Sequence, residues 1–451
     1  MNSSFFSDML QTIADRGRAL IQRREPARKR SVDLVQLCED LLSGRGEASG
    51  VALARDILAR YGALTIGPRI AFFEALESTF GHDRAGIEAA IATWEQSPSP
   101  ANAALLHRAT EPKRLELFRR LNLAPGGTAA LVRMREQLMD AMDHREDLAA
   151  IDRDFVHLFS SWFNRGFLVL RRIDWSTPAV ILQKIIHYEA VHEIQDWDDL
   201  RRRIDLPDRR CYAFFHPALV DDPLIFVEVA LTGEIPEAIA PILADKRDVV
   251  DPERATTAAF YSITNCQRGL MGVSFGNFLI KQVVEEVSRE VGRVSTFVTL
   301  SPAPNFAAWL KRERAAPASM ALDDDDRAAL AALDTPGWWR VAEVADRVRE
   351  PLLRAAAWYY VRGRNGRGLP IDSVARFHLG NGARLEQLDW LGDTSERALA
   401  QSYGLMVNYL YDVEYIEKNH EAYAQQRIVV AAKSVSKLIR TPVREIVPVS
   451  G

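Results

Sequence analysis

Residues 260–301 read FYSITNCQRGLMGVSFGNFLIKQVVEEVSREVGRVSTFVTLS, and the pattern changes character twice along the way. FYSITNC, dense in aromatic and β-branched residues, predicts a strand. QRGLMGVSFG follows as a glycine-rich turn. In NFLIKQVVEEVSREV, Ile280, Val283, Val284, Val287 and Val291 recur at helical spacing and make one apolar face. STFVTLS then predicts a second strand, so the segment forms a β-loop-α-β unit.

Upstream, Ile225, Val227, Val229 and Leu231 alternate with Phe226, Glu228 and Ala230 in LIFVEVAL, which predicts a central strand covered on both faces. FLVLRRIDW reads as another strand, and STPAVILQKIIHYEAV as a helix with Thr177 as N-cap and Pro178 at its first position. From about 31 to 165 the text is helical throughout, broken at GRGEASG, GHDRAG, SPSP and NLAPGG. There Leu131, Met134, Leu138 and Met142 form a stripe read as core packing. Downstream, 311–350 reads as a surface excursion whose Asp323 to Asp326 run is a solvated loop or helix start. The expected organisation is α+β: an all-helical bundle over 1–165, then a catalytic α/β domain over 166–451.

A chain of 451 residues with 47% hydrophobic and 26% charged residues has material for more than one buried core. A net charge of −4 offers no electrostatic footprint for nucleic acid or an anionic membrane, so neither is an expected partner. Cys38, Cys211 and Cys266 are far apart with no CxxC pair, which points to no zinc site and to a reducing compartment. No apolar run is long enough for a membrane span, and residues 1–30 lack a signal-peptide core. Asp8 and Asp15 run against a mitochondrial presequence, so the expected location is the cytoplasm.

Three places offer chemistry. Gly269, Gly272 and Gly276 lie between a strand and a helix N-terminus, a corner suited either to a pyrophosphate or to a tight structural turn. Ser301 ends the second strand, where a parallel sheet opens its ligand crevice. With Pro302 as the first helical residue it also reads as a helix cap, and one hydroxyl is able to serve both roles. His378, in RFHLGNGA, reads as an imidazole at the exposed edge of a sharp turn with an ordinary pKa near 6.5. His192 and His216 are weaker candidates, and no histidine has the spacing of a metal site.

FYSITNCQRGLMGVSFGNFLIK, TLSPAPNFAAWL, FHLGNGARLEQLDW and SYGLMVNYLYD, in that order, resemble the malonyl-CoA decarboxylase family, as do AVHEIQDWDDLRRRI and RRCYAFFHPALVDDPLIFVEVALTGEI. The resemblance runs from about 165 to 435. It implies an N-terminal helical domain, which in the family serves assembly into a homo-oligomer, and an acetyltransferase-like (GNAT-like) catalytic domain. It also implies conversion of malonyl-CoA to acetyl-CoA and CO2 with Ser301 and His378 as the catalytic pair. CoA is then part of the substrate, and no separate cofactor or metal is needed. The resemblance further assigns Met271, Gly272, Val273, Ser274, Phe275, Gly276 and Asn277 to the CoA pyrophosphate. Tyr188 occupies one of the cysteine positions implied for interchain disulfides in some relatives.

Two other classes compete. A CoA-dependent N-acyltransferase needs a base for its amine acceptor, for which Glu228 is the candidate. A non-catalytic acyl-CoA-binding protein needs no chemistry at either Ser301 or His378.

Overall fold

The computed structural model describes residues 33–43, 46–142, 145–273 and 279–440, which fall into two compact units. The first holds the described residues through Val169 together with Phe215–Leu224 and the segment beginning at Gln267; the second holds the rest.

The first unit is helical. Its core lies among α1 (Lys113–Asn122), α2 (Gly127–Met142) and α3 (Ala149–Trp162), where Phe118 stacks on Phe155 at 4.2 Å. Leu131, Met134 and Leu138 are fully buried and Met142 is half-buried, so the stripe is core over its first three members. Two buried arginines tie the bundle internally. Arg114 meets Asp154 and Glu77, and Arg135 meets Asp152 at 2.8 Å. Arg135 also donates to the carbonyls of Gly269 and Met271 at 2.9 and 2.8 Å, which fastens the glycine-rich turn to α2.

The second unit is built on an eight-stranded mixed sheet. Its strands are β1 (Val169–Ile173), β2 (Arg209–Phe215), β3 (Pro223–Thr232), β4 (Thr257–Asn265), β5 (Thr296–Thr299), β6 (Ser301–Pro302), β7 (Arg384–Asp389) and β8 (Met406–Leu410). They run in the order β1-β2-β3-β4-β5-β8-β6, with β7 paired to β8. β3 and β4 are antiparallel, from Ile225 opposite Asn265 to Thr232 opposite Thr257, with a bulge at Glu228/Val229. β4 and β5 are parallel, from Thr257 opposite Thr296 to Phe260 opposite Thr299. The helix Leu279–Glu290 lies between them in sequence and buries Ile280, Val283, Val284 and Val287. The expected β-loop-α-β unit is therefore present, and the α+β reading holds: a helical region, then a mixed sheet. β3 is buried along nearly its whole length, in keeping with a strand apolar on both faces.

Local expectations shift in two places, the cap at Thr177 and the burial of Asp326. The helix after FLVLRRIDW is Ala179–Tyr188 with Pro178 as its N-cap residue, because the Thr177 hydroxyl instead accepts from the Asp174 amide. The acidic run opens the helix Asp324–Leu330 through a reciprocal Asp323–Asp326 capping box. Asp326 is buried rather than solvated, since Arg354 and Arg440 reach it.

The glycine-rich turn yields a stability test. A Cβ on Gly269 would meet the Val132 carbonyl at 2.1 Å, whereas Gly272, with φ +78°, faces open space. Gly272→Ala should cost about 1 kcal/mol for its left-handed backbone. Gly269→Ala must displace backbone and should lower the unfolding midpoint by clearly more in chemical denaturation. Equal midpoints would remove the close approach to α2.

Candidate active site

β5 and β6 are one strand interrupted at Leu300. β5 pairs with β8 through Val298 and Leu410, and β6 through Ser301 and Val407. At the interruption side chains replace ladder bonds. The Tyr409 amide donates to Thr299 Oγ1 at 3.3 Å, and Asn408 Nδ2 donates to the Thr299 carbonyl at 2.8 Å. The Leu300 amide meets the Phe260 carbonyl at 2.9 Å. Ser301 thereby stays in a strand, which overturns the cap reading. The following helix begins only at Phe306, behind Asn305.

His378 comes from the helix Ser373–Gly380, capped by Asp372 accepting from the Ala375 amide at 2.8 Å. The chain then turns back at Gly382, where φ is +84° and a Cβ would meet the Ile416 carbonyl at 2.2 Å. Only glycine fits that turn. The imidazole stacks on Tyr409, with ring centres 4.6 Å apart.

Ser301 Oγ and His378 Nε2 are 3.1 Å apart, Ser301 Oγ also meets Thr299 Oγ1 at 2.9 Å, and His378 Nδ1 meets the Tyr411 hydroxyl at 2.8 Å. Burial keeps Tyr411 protonated by pushing its pKa well up. Its proton needs an acceptor, and His378 Nδ1 is the partner in place. Nδ1 then accepts and Nε2 carries the hydrogen, directed at Ser301.

The expectation of an exposed His378 with an ordinary pKa is corrected here. The ring is 3% exposed, and burial lowers its pKa to about 3, so the neutral imidazole is the resting form. Ser301 and His378 both line a cleft of about 280 Å³. Its apolar walls include Phe260, Leu300 and Phe377, and Asn265 adds a polar group.

The other candidates lie elsewhere. His216 belongs to the first unit, where Nε2 donates to the Trp162 carbonyl at 3.0 Å and Nδ1 accepts from the Ala218 amide at 3.1 Å; both nitrogens are structural. His192 is held neutral by burial, with its pKa lowered to about 4. Glu228 is wholly buried, faces Arg203 Nη1 at 3.4 Å, and is raised by burial to about 8. Neither His192 nor Glu228 lines the cleft. Of the pyrophosphate stretch, Met271 is exposed, Gly272 has a positive φ and Val273 is buried; Ser274, Phe275, Gly276 and Asn277 lie outside the described residues. Among the described residues no three His, Cys, Asp or Glu side chains gather as a metal site, and no helix is long and apolar enough to cross a membrane.

Sequence reading missed Thr299, Asn408, Tyr409 and Tyr411. The alternation in LMVNYLYD puts Tyr409 and Tyr411 on one face of a strand, and that was the available signal. Nothing in the text says that this face meets His378.

Fold and site together define a serine–histidine centre on a mixed-sheet domain preceded by a helical region. Residues 166–448 match the malonyl-CoA decarboxylase C-terminal domain, and residues 80–163 the malonyl-CoA decarboxylase N-terminal domain. The mitochondrial malonyl-CoA decarboxylase of Anser anser anser is 34% identical, over 92% of this chain and 84% of its own. That of Rattus norvegicus is 32% identical, over 85% and 84%. The crystal structure of malonyl-CoA decarboxylase from Rhodopseudomonas palustris superposes with a TM-score of 0.87 at 58% identity, covering 90% of this chain and 98% of that one. The Agrobacterium vitis enzyme gives 0.86 at 54% identity, over 91% and 100%. The chain belongs to the malonyl-CoA decarboxylase family, a family of carboxy-lyases.

The neutral imidazole has a measurable consequence. His378 resists protonation down to about pH 3 in the fold, whereas an unfolded histidine titrates near 6.5. Between those values the unfolded chain binds more protons, so His378 makes stability fall as pH falls, by at most about 1.4 kcal/mol per pH unit. Histidine-ring NMR signals of His378 should stay unchanged from neutral pH to about pH 5; a transition near 6.5 would contradict the buried neutral ring.

Proposed function

We propose that the protein decarboxylates malonyl-CoA to acetyl-CoA and CO2, with Ser301 orienting the malonyl group and the Ser301–His378 pair delivering the proton. The observation that carries this reading is the 3.1 Å contact between Ser301 Oγ and His378 Nε2 in the wall of the cleft.

Breaking the bond between the carboxylate and the α-carbon leaves an electron pair that the thioester spreads onto its oxygen as an enolate. Hydrogen-bond donors preplaced for that oxygen lower the barrier, most strongly where water is excluded. Here the donors are the Ser301 hydroxyl and the Nε2–H of a neutral imidazole. The α-carbon then takes a proton passed on by this pair and replaced from solvent, so one proton is consumed per turnover. A neutral donor stabilises the enolate oxygen without presenting the substrate carboxylate with a full positive charge to settle against, which would favour the ground state. Tyr411 holds the tautomer that this role requires.

The same reading assigns the CoA pyrophosphate to the stretch from Met271 to Asn277, makes CoA part of the substrate, and requires no further cofactor. It gives residues 1–165 the task of homo-oligomer assembly and 166–451 the catalysis, and it locates the protein in the cytoplasm with neither nucleic acid nor membrane as partner. The net charge of −4 supports the last point. An N-acyltransferase reading loses its candidate base, since Glu228 sits inside the sheet beside Arg203 and away from the cleft.

Purified protein given malonyl-CoA without added metal or amine should release acetyl-CoA and CO2 in equal amounts. His378→Ala should lose about 10²- to 10⁴-fold in kcat, with Ser301→Ala also severely impaired and Tyr411→Phe retaining more than either. Binding without product would leave a non-catalytic acyl-CoA-binding protein, and CoA release only on adding an amine would leave an acyltransferase.

A further inference from the structure

Thr299 stands one hydrogen bond behind the Ser301–His378 contact. It ends β5, is fully buried and is absent from the wall of the cleft, so it does not meet what the cleft holds. Its Oγ1 accepts from Ser301 Oγ at 2.9 Å and from the Tyr409 amide at 3.3 Å. The ring of that same Tyr409 stacks on His378, with centres 4.6 Å apart. Thr299 is thus tied through two neighbours to an imidazole it does not itself bond.

The Ser301 hydroxyl has a single hydrogen and, among the described residues, two side-chain partners, Thr299 Oγ1 and, at 3.1 Å, His378 Nε2. The partner that receives the hydrogen decides what the pair can do. Sent to Nε2, it makes the imidazole a base and the serine an activated nucleophile, as in serine hydrolases. Sent to Thr299, it leaves a serine lone pair facing Nε2–H, and the imidazole is the donor. The far side of the ring agrees with the second arrangement, because the Tyr411 hydroxyl donates to Nδ1 at 2.8 Å. Donors then run from Tyr411 through His378 and Ser301 to Thr299, each polarising the next.

We propose that Thr299 is a positioning residue that fixes the direction of this chain: by taking the Ser301 hydrogen it keeps the serine from becoming a nucleophile and leaves His378 Nε2–H as donor. The inference rests on the decarboxylation reading above, since stabilising an enolate needs donors and has no use for a serine that attacks the thioester carbonyl. In the resting chain Thr299 is the acceptor that holds the hydroxyl. With substrate bound, the hydroxyl turns about its own C–O bond towards the oxygen in the cleft, a rotation that moves no heavy atom.

Nitrogen NMR of isotope-labelled histidine rings reads the direction without any turnover. The His378 signals, assigned by their loss in His378→Ala, should show the hydrogen on Nε2 in the unsubstituted chain and in Thr299→Ser, which keeps the hydroxyl. Thr299→Val, of the same shape without it, should shift the ring towards the Nδ1–H form and lose roughly 10- to 100-fold in kcat on malonyl-CoA. KM should stay unchanged, because Thr299 does not line the cleft, and Thr299→Ser should regain most of the rate. Tyr411→Phe removes the other end of the chain. Since both ends act through one ring, the double variant Thr299→Val with Tyr411→Phe should lose clearly less than the product of the single losses. An Nδ1–H ring in the unsubstituted chain, which requires no variant to fold, would overturn the proposal. So would an undiminished kcat in Thr299→Val, or single losses that simply multiply. If the unsubstituted chain releases no acetyl-CoA, it is the decarboxylation reading that falls, and the ring signals still decide the direction of the chain.

Discussion

The Ser301–His378 contact depends on a break in hydrogen bonding at Leu300. A continuous β5 would carry Ser301 straight on along β8, its backbone used up in an unbroken ladder. Instead the Tyr409 amide donates to Thr299 Oγ1, Asn408 Nδ2 donates to the Thr299 carbonyl, and the chain re-enters pairing at Ser301 opposite Val407. The backbone groups released by the break stay satisfied, which a buried site demands, since an unpaired amide or carbonyl there costs about 1–3 kcal/mol. Thr299 also meets the Ser301 hydroxyl, so the group that closes the break also aims the serine.

Burial then sets the chemistry. His378 lies between Tyr409 and the Ser301 and Tyr411 hydroxyls with no carboxylate bonded to it among the described residues, so desolvation decides its charge and keeps it neutral. This differs from a serine–histidine–aspartate arrangement, where a carboxylate steadies an imidazolium. A tyrosine in that position fixes the tautomer without inviting a positive charge. The difference suits a reaction in which no alkoxide attack on a carbonyl is needed and the task is to hold an enolate and hand over a proton.

The same low-polarity interior shapes the sheet elsewhere. Glu228 has no water to ionise into and faces Arg203 at 3.4 Å, while Asp389, buried beside β8, is raised by burial to about 8. Arg203 reaches Asp199 and the carbonyls of His192 and Glu193, which joins the helix Trp197–Ile204 to the loop before it. Glu228, Asp389 and Arg203 are therefore each paired or held neutral, as burial requires.

By itself the sequence determined the elements with strong periodicity: the helical first third, the doubly covered β3, and the β4-turn-helix-β5 unit, whose valines at helical spacing leave one way to bury them. It also carried, through runs of residues in family order, the family and the two candidate side chains Ser301 and His378. Only the tertiary structure decided that Ser301 is a strand residue and not a cap, because that turned on Asn408 and Tyr409, which lie about a hundred residues away in sequence and bind Thr299 beside the serine. It alone decided that His378 is buried and neutral, because burial is a sum over neighbours brought in from β8 and from the turn at Gly382. Spacing along a chain reports which residues share a face; what that face meets, and how much water remains there, is set by segments a hundred residues away.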